Sequence, residues 1–336
     1  MDSSNIVFLS CRYNSISGNF IVDFENLAAK YFNADIIRLG KLSSQCAVIL
    51  EALRGAPTTA KIPKIISNMV TKLPHQIPIP SSIRFKVNKY DTIFLSVIST
   101  TKISVLDTIN WKNKRIILYI IDAWEPRLKW LSKLIDKFNI DIVLCPYLQS
   151  VEYLQERHSN VFWLPMGFNE NVWKDYGLKK EIKVIQYGRK HPYLHDFFLN
   201  LYGRGYIHLL KEREILARYL NRSYFYAVFP RNLTEPQFTG NISPVAMRYY
   251  EGIACKSMPV GFKPYSKEFD LLFSDNITMI EYKNDKQFKE ELDYYLRNEE
   301  EYQKAVSKNY EHVHKEHTWA SRIKILEKIL RKEGIL

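Results

Sequence analysis

Unbroken apolar runs alternating with amphipathic stretches dominate the first half of the chain. The first run, IVFLSC at 6–11, reads as a buried strand. A polar loop from Arg12 to Asn19, containing Gly18, follows it. Residues 20–32 then set Phe20, Phe24, Leu27, Ala28 and Tyr31 at helical spacing, and DIIRLG at 35–40 reads as a second strand. DTIFLSVI (91–98), RIILYII (115–121) and DIVLCP (141–146) are further continuous runs, with helical patterns at 127–138 and 149–157. A strand apolar at every position has both faces covered, the usual state of strands in a parallel sheet. The order of strands and helices therefore predicts a doubly wound α/β domain.

VFWLP (161–165) closes that domain, and PMGFNENVW carries a Pro–Gly break suited to a linker. A second α/β unit opens at KVIQYG (183–188). It continues through helices near 193–202 and 209–220 and a strand at 224–229. Residues 243–261, SPVAMRYYEGIACKSMPVG, read as a helix running into a strand. After TMIEY (278–282) the chain reads as helical to its end, where Ile323, Leu326, Ile329 and Leu330 mark an amphipathic last helix.

Composition adds limits. The chain has 336 residues, enough for two domains, and 46% hydrophobic with 25% charged residues is globular usage. The net charge of +12 favours an anionic partner, either nucleic acid, a membrane surface or a phosphorylated substrate, although a generally basic surface gives the same number. Between Glu51 and Asp91 the chain has no acidic residue but carries Arg54, Lys61, Lys64, Lys72, Arg84, Lys86 and Lys89, broken up by five prolines. This 52–90 segment reads either as a solvated connection or as an excursion toward DNA or an anionic membrane surface. Cys11, Cys46, Cys145 and Cys255 show no zinc-ligand spacing. Three of them lie in or beside apolar runs, as reduced core thiols do. The polar start (Asp2, then SSN) does not resemble a signal peptide, and the longest apolar run, Ile116 to Ile121, is too short to cross a bilayer. A cytoplasmic protein, peripheral at most to the inner membrane face, is the expectation.

In open α/β sheets ligands sit beyond the carboxyl ends of the strands, so the chemistry is sought there. Gly188 ends the first strand of the second unit, followed by Arg189 and Lys190. A glycine lets backbone approach a phosphate and the two cations neutralise it, although solvated charges read the same way. His191 and His195 lie just beyond. Arg248 and Glu251 stand one turn apart on a helix face. The pair suits a nucleoside diphosphate, guanidinium for phosphate and carboxylate for ribose hydroxyls, and equally suits an i,i+3 surface ion pair. The small and apolar Gly252-Ile253-Ala254 after it favour a packed helix.

RYYEGIACKSMPVG resembles the R-x-x-E-a-x-A-x-x-x-x-P-V segment of nucleotide-sugar glycosyltransferases with the GT-B fold, in the branch described as CgeB-like or glycosyl transferases group 1. LPMGFNENVW resembles that family's linker into the second domain, KVIQYGR the strand and loop that open it, and HTWASRIKIL (317–326) the H-T-[YW]-x-x-R-x-x-x-L ending. The resemblance covers residues 160–330, and the N-terminal half matches in pattern. It implies two Rossmann-like domains facing across a cleft: an acceptor domain at 1–165, a donor domain at 166–315, and a final helix at 316–336 that packs back on the N-terminal domain. It also implies Arg248 on the donor diphosphate, Glu251 on the ribose, and Gly188, Arg189 and Lys190 around the phosphates. Many retaining members carry a second glutamate eight residues before the ribose-binding one, where this chain has Ser243.

An inverting course then needs a base for the acceptor hydroxyl. Asp122, at the end of the RIILYII strand, is the first candidate and Glu125 the second. A carboxylate at a buried strand end can have a raised pKa, and inverting transferases of this fold, phage DNA glucosyltransferases among them, resemble this chain in an aspartate after a similar strand. Asp122 reads equally well as the N-cap of the helix near Pro126. Trp124 suits core packing better than a sugar platform. No D-x-D motif occurs, so no metal and no cofactor beyond the nucleotide-sugar donor is expected. Arg189, Arg248 and a helix N-terminus would stabilise the leaving diphosphate. The expected function is transfer of a sugar, most simply UDP-linked, to an acceptor hydroxyl. A DNA-base glucosyltransferase and a non-catalytic binding protein of the same fold are the alternatives.

Overall fold

The computed structural model describes residues 5–10, 19–38, 86–98, 103, 105–106, 111–203, 206–207 and 212–336. The loop at 11–18, Cys11, Cys46 and the basic segment through residue 85 lie outside the described residues. The chain divides into two compact units, Met1–Pro165 with Ile323–Leu336, and Met166–Arg322.

The first unit is built on β1 (Ile6–Ser10), β2 (Asp35–Arg38), β3 (Thr92–Val97), β4 (Arg115–Ile120), β5 (Ile142–Cys145) and β6 (Val161–Trp163). They form a parallel sheet in the order β2-β1-β3-β4-β5-β6. Every residue of β1, β3 and β5 is buried, as the unbroken apolar runs require. The helices are α1 (Asn19–Tyr31), α2 (Glu125–Phe138) and α3 (Leu148–Gln155). Phe24 of α1 packs against Phe94 and Tyr119, and Phe8 stacks on Phe94 with centroids 4.6 Å apart. Pro126 sits at the start of α2, where its missing N–H costs nothing, and Asn139 ends the helix in the left-handed region at φ 45°. Tyr31 donates to Glu327 of the last helix at 2.5 Å, within the same unit.

The second unit holds β7 (Ile182–Tyr187), β8 (Tyr206–Ile207), β9 (Ser223–Val228), β10 (Met258–Gly261) and β11 (Ile280–Glu281). These are parallel in the order β11-β10-β9-β7-β8. Helices α4 (Pro192–Tyr202), α5 (Arg213–Asn221), α6 (Pro236–Thr239), α7 (Arg248–Glu251), α8 (Lys267–Phe273), α9 (Asp285–Arg297) and α10 (Glu299–Glu316) accompany them, and α11 (Trp319–Lys332) ends the chain. One core joins Val184, Phe225, Ala227 and Val260 of the sheet to Leu194 and Phe198 of α4, Phe288 and Leu292 of α9, and Tyr302 and Val306 of α10.

Three expectations need correction. The helix expected from residue 243 begins at Arg248 and lasts one turn before a 3-10 turn at Ile253–Cys255. The preceding backbone is held by α8 instead: Val245 N–H donates to Glu268 at 2.9 Å and Ser266 Oγ donates to the Ser243 carbonyl at 2.8 Å. Pro244 also disfavours a helical Ser243. The helix near 209–220 starts at Arg213, and the short strand β8 precedes it. Asp122 is not a helix N-cap, because α2 starts one turn later with Trp124 at the cap position. Among the described residues no helix is long and apolar enough to cross a membrane.

Candidate nucleotide-sugar site

Because β7, β9 and β10 are parallel, their carboxyl ends meet at one edge of the second sheet. Gly188 leaves β7 with φ 68°, a conformation that favours glycine. Phe229 follows β9, and Phe262 follows β10. His191 ties the three loops together, its ring centroid 5.2 Å from Phe229 and 4.8 Å from Phe262. It also caps α4, accepting from Leu194 N–H at 3.4 Å. Burial lowers its pKa, as suits a neutral structural imidazole. Lys190 Nζ lies 3.5 Å from His195 Nε2, so these two expected neighbours of the loop meet each other.

Arg248 and Glu251 converge on Tyr187, the last residue of β7. The tyrosine hydroxyl donates to Glu251 Oε2 at 3.0 Å. The Arg248 guanidinium carbon lies 5.2 Å from the Tyr187 ring centroid and 4.9 Å from that of Phe229. Aromatic faces hold a guanidinium through its π-attraction while its N–H edge stays available for hydrogen bonds. Burial raises the Glu251 pKa above the ordinary carboxylate range, and the Tyr187 hydrogen bond, Arg248 and Arg213 act against that rise.

The local chain is shaped for this placement. A Cβ on Gly252 would lie 2.3 Å from the Tyr226 ring, so only glycine lets the turn after Glu251 settle onto β9. Gly261 has φ 134°, and a Cβ there would meet the Val228 carbonyl at 2.3 Å. Ser243, at the position where many retaining members of the resembled family carry a second glutamate, is fully buried and braces the backbone, accepting at Oγ from Tyr265 N–H at 3.2 Å.

Arg189 is placed by a residue the sequence reading missed. Glu235 Oε2 lies 3.1 Å from Arg189 Nε and 2.6 Å from Arg231 Nε. Arg231 and Glu235 are four apart, a spacing visible in the sequence. Their link to Arg189 across two strand ends is not. Arg213, whose charge acts on Glu251, was missed for the same reason.

In the first unit Asp122 follows β4, its N–H donating to the Ile98 carbonyl at 2.7 Å, and its side chain is half-buried. Glu125 is exposed at the start of α2. Trp124 is buried and stacks on Tyr147 at 4.7 Å, a packing role. Among the described residues no group of three or more His, Cys, Asp or Glu is arranged to hold a metal ion.

Residues 189–328 match a family model described as glycosyl transferase-like. No curated protein sequence matches the chain significantly. Among solved structures, HepE of Anabaena, in complex with UDP and glucose, superposes with a TM-score of 0.61 at 10% identity, covering 97% of this chain and 99% of that one. Sucrose-phosphate synthase of Thermosynechococcus elongatus gives 0.62 at 12% identity over 97% and 98%. A glycosyltransferase of Rickettsia africae gives 0.56 at 12% identity over 98% and 99%. None of these matches singles out the CgeB-like branch. The chain has the GT-B fold of two Rossmann-like units, and its C-terminal unit carries a glycosyl transferase-like domain.

Proposed function

We propose that this protein transfers a sugar from a UDP-linked donor to an acceptor hydroxyl, with inversion and with arginines doing the work of a metal. The observation that carries the reading is the convergence of Arg248 and Glu251 on Tyr187, beside the left-handed Gly188, at the carboxyl edge of the second sheet. Arg248 meets the diphosphate, and Glu251 accepts from the ribose hydroxyls. Gly188 admits the phosphate to the backbone, with Arg189 and Lys190 supplying charge. HepE, of the same fold, was solved with UDP and with UDP-glucose, which supports a UDP-linked donor here.

In the reaction the acceptor oxygen attacks the anomeric carbon as the bond to the leaving phosphate oxygen breaks. Asp122 takes the acceptor proton, with Glu125 as the second candidate. Negative charge grows on the departing diphosphate, where guanidinium groups stabilise it more than they stabilise the ground state. Inversion fits the absence of a glutamate at position 243.

Calorimetric titration with UDP tests the donor half. Arg248→Ala and Glu251→Ala should each weaken binding by about 10- to 100-fold, the worth of a hydrogen bond to a charged group. Wild-type affinity in both variants would sink the proposal.

A further inference from the structure

Arg248 and Glu251 are set by one side chain. Tyr187 is 4% exposed and sits inside the parallel sheet, with β9 on one side and the edge strand β8 on the other. The hydroxyl reaches Glu251 Oε2 at 3.0 Å, and the ring lies under the Arg248 guanidinium, with Phe229 from the neighbouring strand end as a second support. Helix α7 is a single turn and fixes its own side chains poorly. Both long side chains would otherwise lose rotamer freedom only when the donor arrives, which weakens binding.

We propose that Tyr187 is the positioning residue of the donor site, its hydroxyl setting the Glu251 carboxylate for the ribose and its ring face setting Arg248 for the diphosphate. This rests on the reading of Arg248 and Glu251 given above. The two actions are separable. Tyr187→Phe keeps the ring and removes the hydroxyl, whereas Tyr187→Leu removes both.

The test is calorimetric titration of the full chain with UDP and with 2′,3′-dideoxy-UDP, which lacks both ribose hydroxyls. Wild type should prefer UDP. Tyr187→Phe should weaken UDP by about threefold to tenfold, the net worth of one hydrogen bond, and leave dideoxy-UDP unchanged. Tyr187→Leu should weaken both ligands. If Tyr187 merely packs, Tyr187→Phe should change both affinities together, or neither, and that result overturns the assignment. Glu251→Ala separates the two ways of failing. If it keeps the preference for UDP, the ribose reading falls and the role of Tyr187 with it. If it loses the preference while Tyr187→Phe retains it, only the Tyr187 assignment falls.

Discussion

Single residues decide whether this site can form. Gly252 looked like part of a tightly packed helix in the sequence, but the reason is one contact: the Tyr226 ring lies where a Cβ would go, at 2.3 Å. Tyr226 is fully buried, so it has no room to yield. Gly252→Ala should cost on the order of 1–3 kcal/mol, as overpacked cores do, read as a lower urea midpoint. An unchanged midpoint would mean the turn relaxes freely. Arg248 and Glu251 were legible as a pair with two meanings, a donor site or a surface ion pair. Spacing could not show that Tyr187, more than 60 residues earlier, receives both. Asp122 was legible as a strand-end carboxylate, and the start of α2 at Glu125 removes its competing role as N-cap. If it is the base, Asp122→Asn should keep UDP affinity and lower turnover by about 100-fold or more. Turnover within a few-fold of wild type would move that role elsewhere.

Elements explain why motifs far apart in the sequence belong together. The linker motif and the HTW motif are a single packed unit. A Cβ on Gly167 would lie 2.8 Å from the Trp319 ring, Phe168 N–H donates to the His317 carbonyl at 3.3 Å, and Trp319 N–H donates to the Phe168 carbonyl at 2.9 Å. His317 is buried and accepts at Nδ1 from Arg322 at 2.6 Å. Burial, then Arg322 and His312, lower its pKa to about 2. The unfolded chain takes up a proton on this imidazole near pH 6.5, which the folded chain refuses until about pH 2. Its contribution is therefore complete above about pH 6.5 and declines as the pH falls through that window. Urea denaturation from pH 7 to pH 5 should show stability falling more steeply in wild type than in His317→Gln. Equal slopes would mean that His317 titrates alike in the folded and unfolded chains. Strand β8 and the one-turn α7 were not legible. A two-residue strand has no periodicity, and the backbone before α7 is fixed by Glu268 and Ser266 of a later helix.

At the scale of the molecule, the first parallel sheet was readable because β1, β3, β4 and β5 are apolar at most positions, a pattern that follows from cover on both faces. Strand order was not readable, since it depends on which crossover each connection takes. What the parallel arrangement contributes is an edge where the loops after β7, β9 and β10 meet, and the groups proposed to bind the donor lie on those loops and on α7. The central claim is that this edge of the second unit binds a nucleoside diphosphate. The most direct measurement is the thermal unfolding of wild type and Arg248→Ala with and without UDP. Binding to the folded state raises wild-type Tm by an amount set by ligand concentration over Kd. The account predicts a concentration-dependent rise in wild type that is lost or sharply reduced in Arg248→Ala. No rise in wild type, or an equal rise in both proteins, would contradict it.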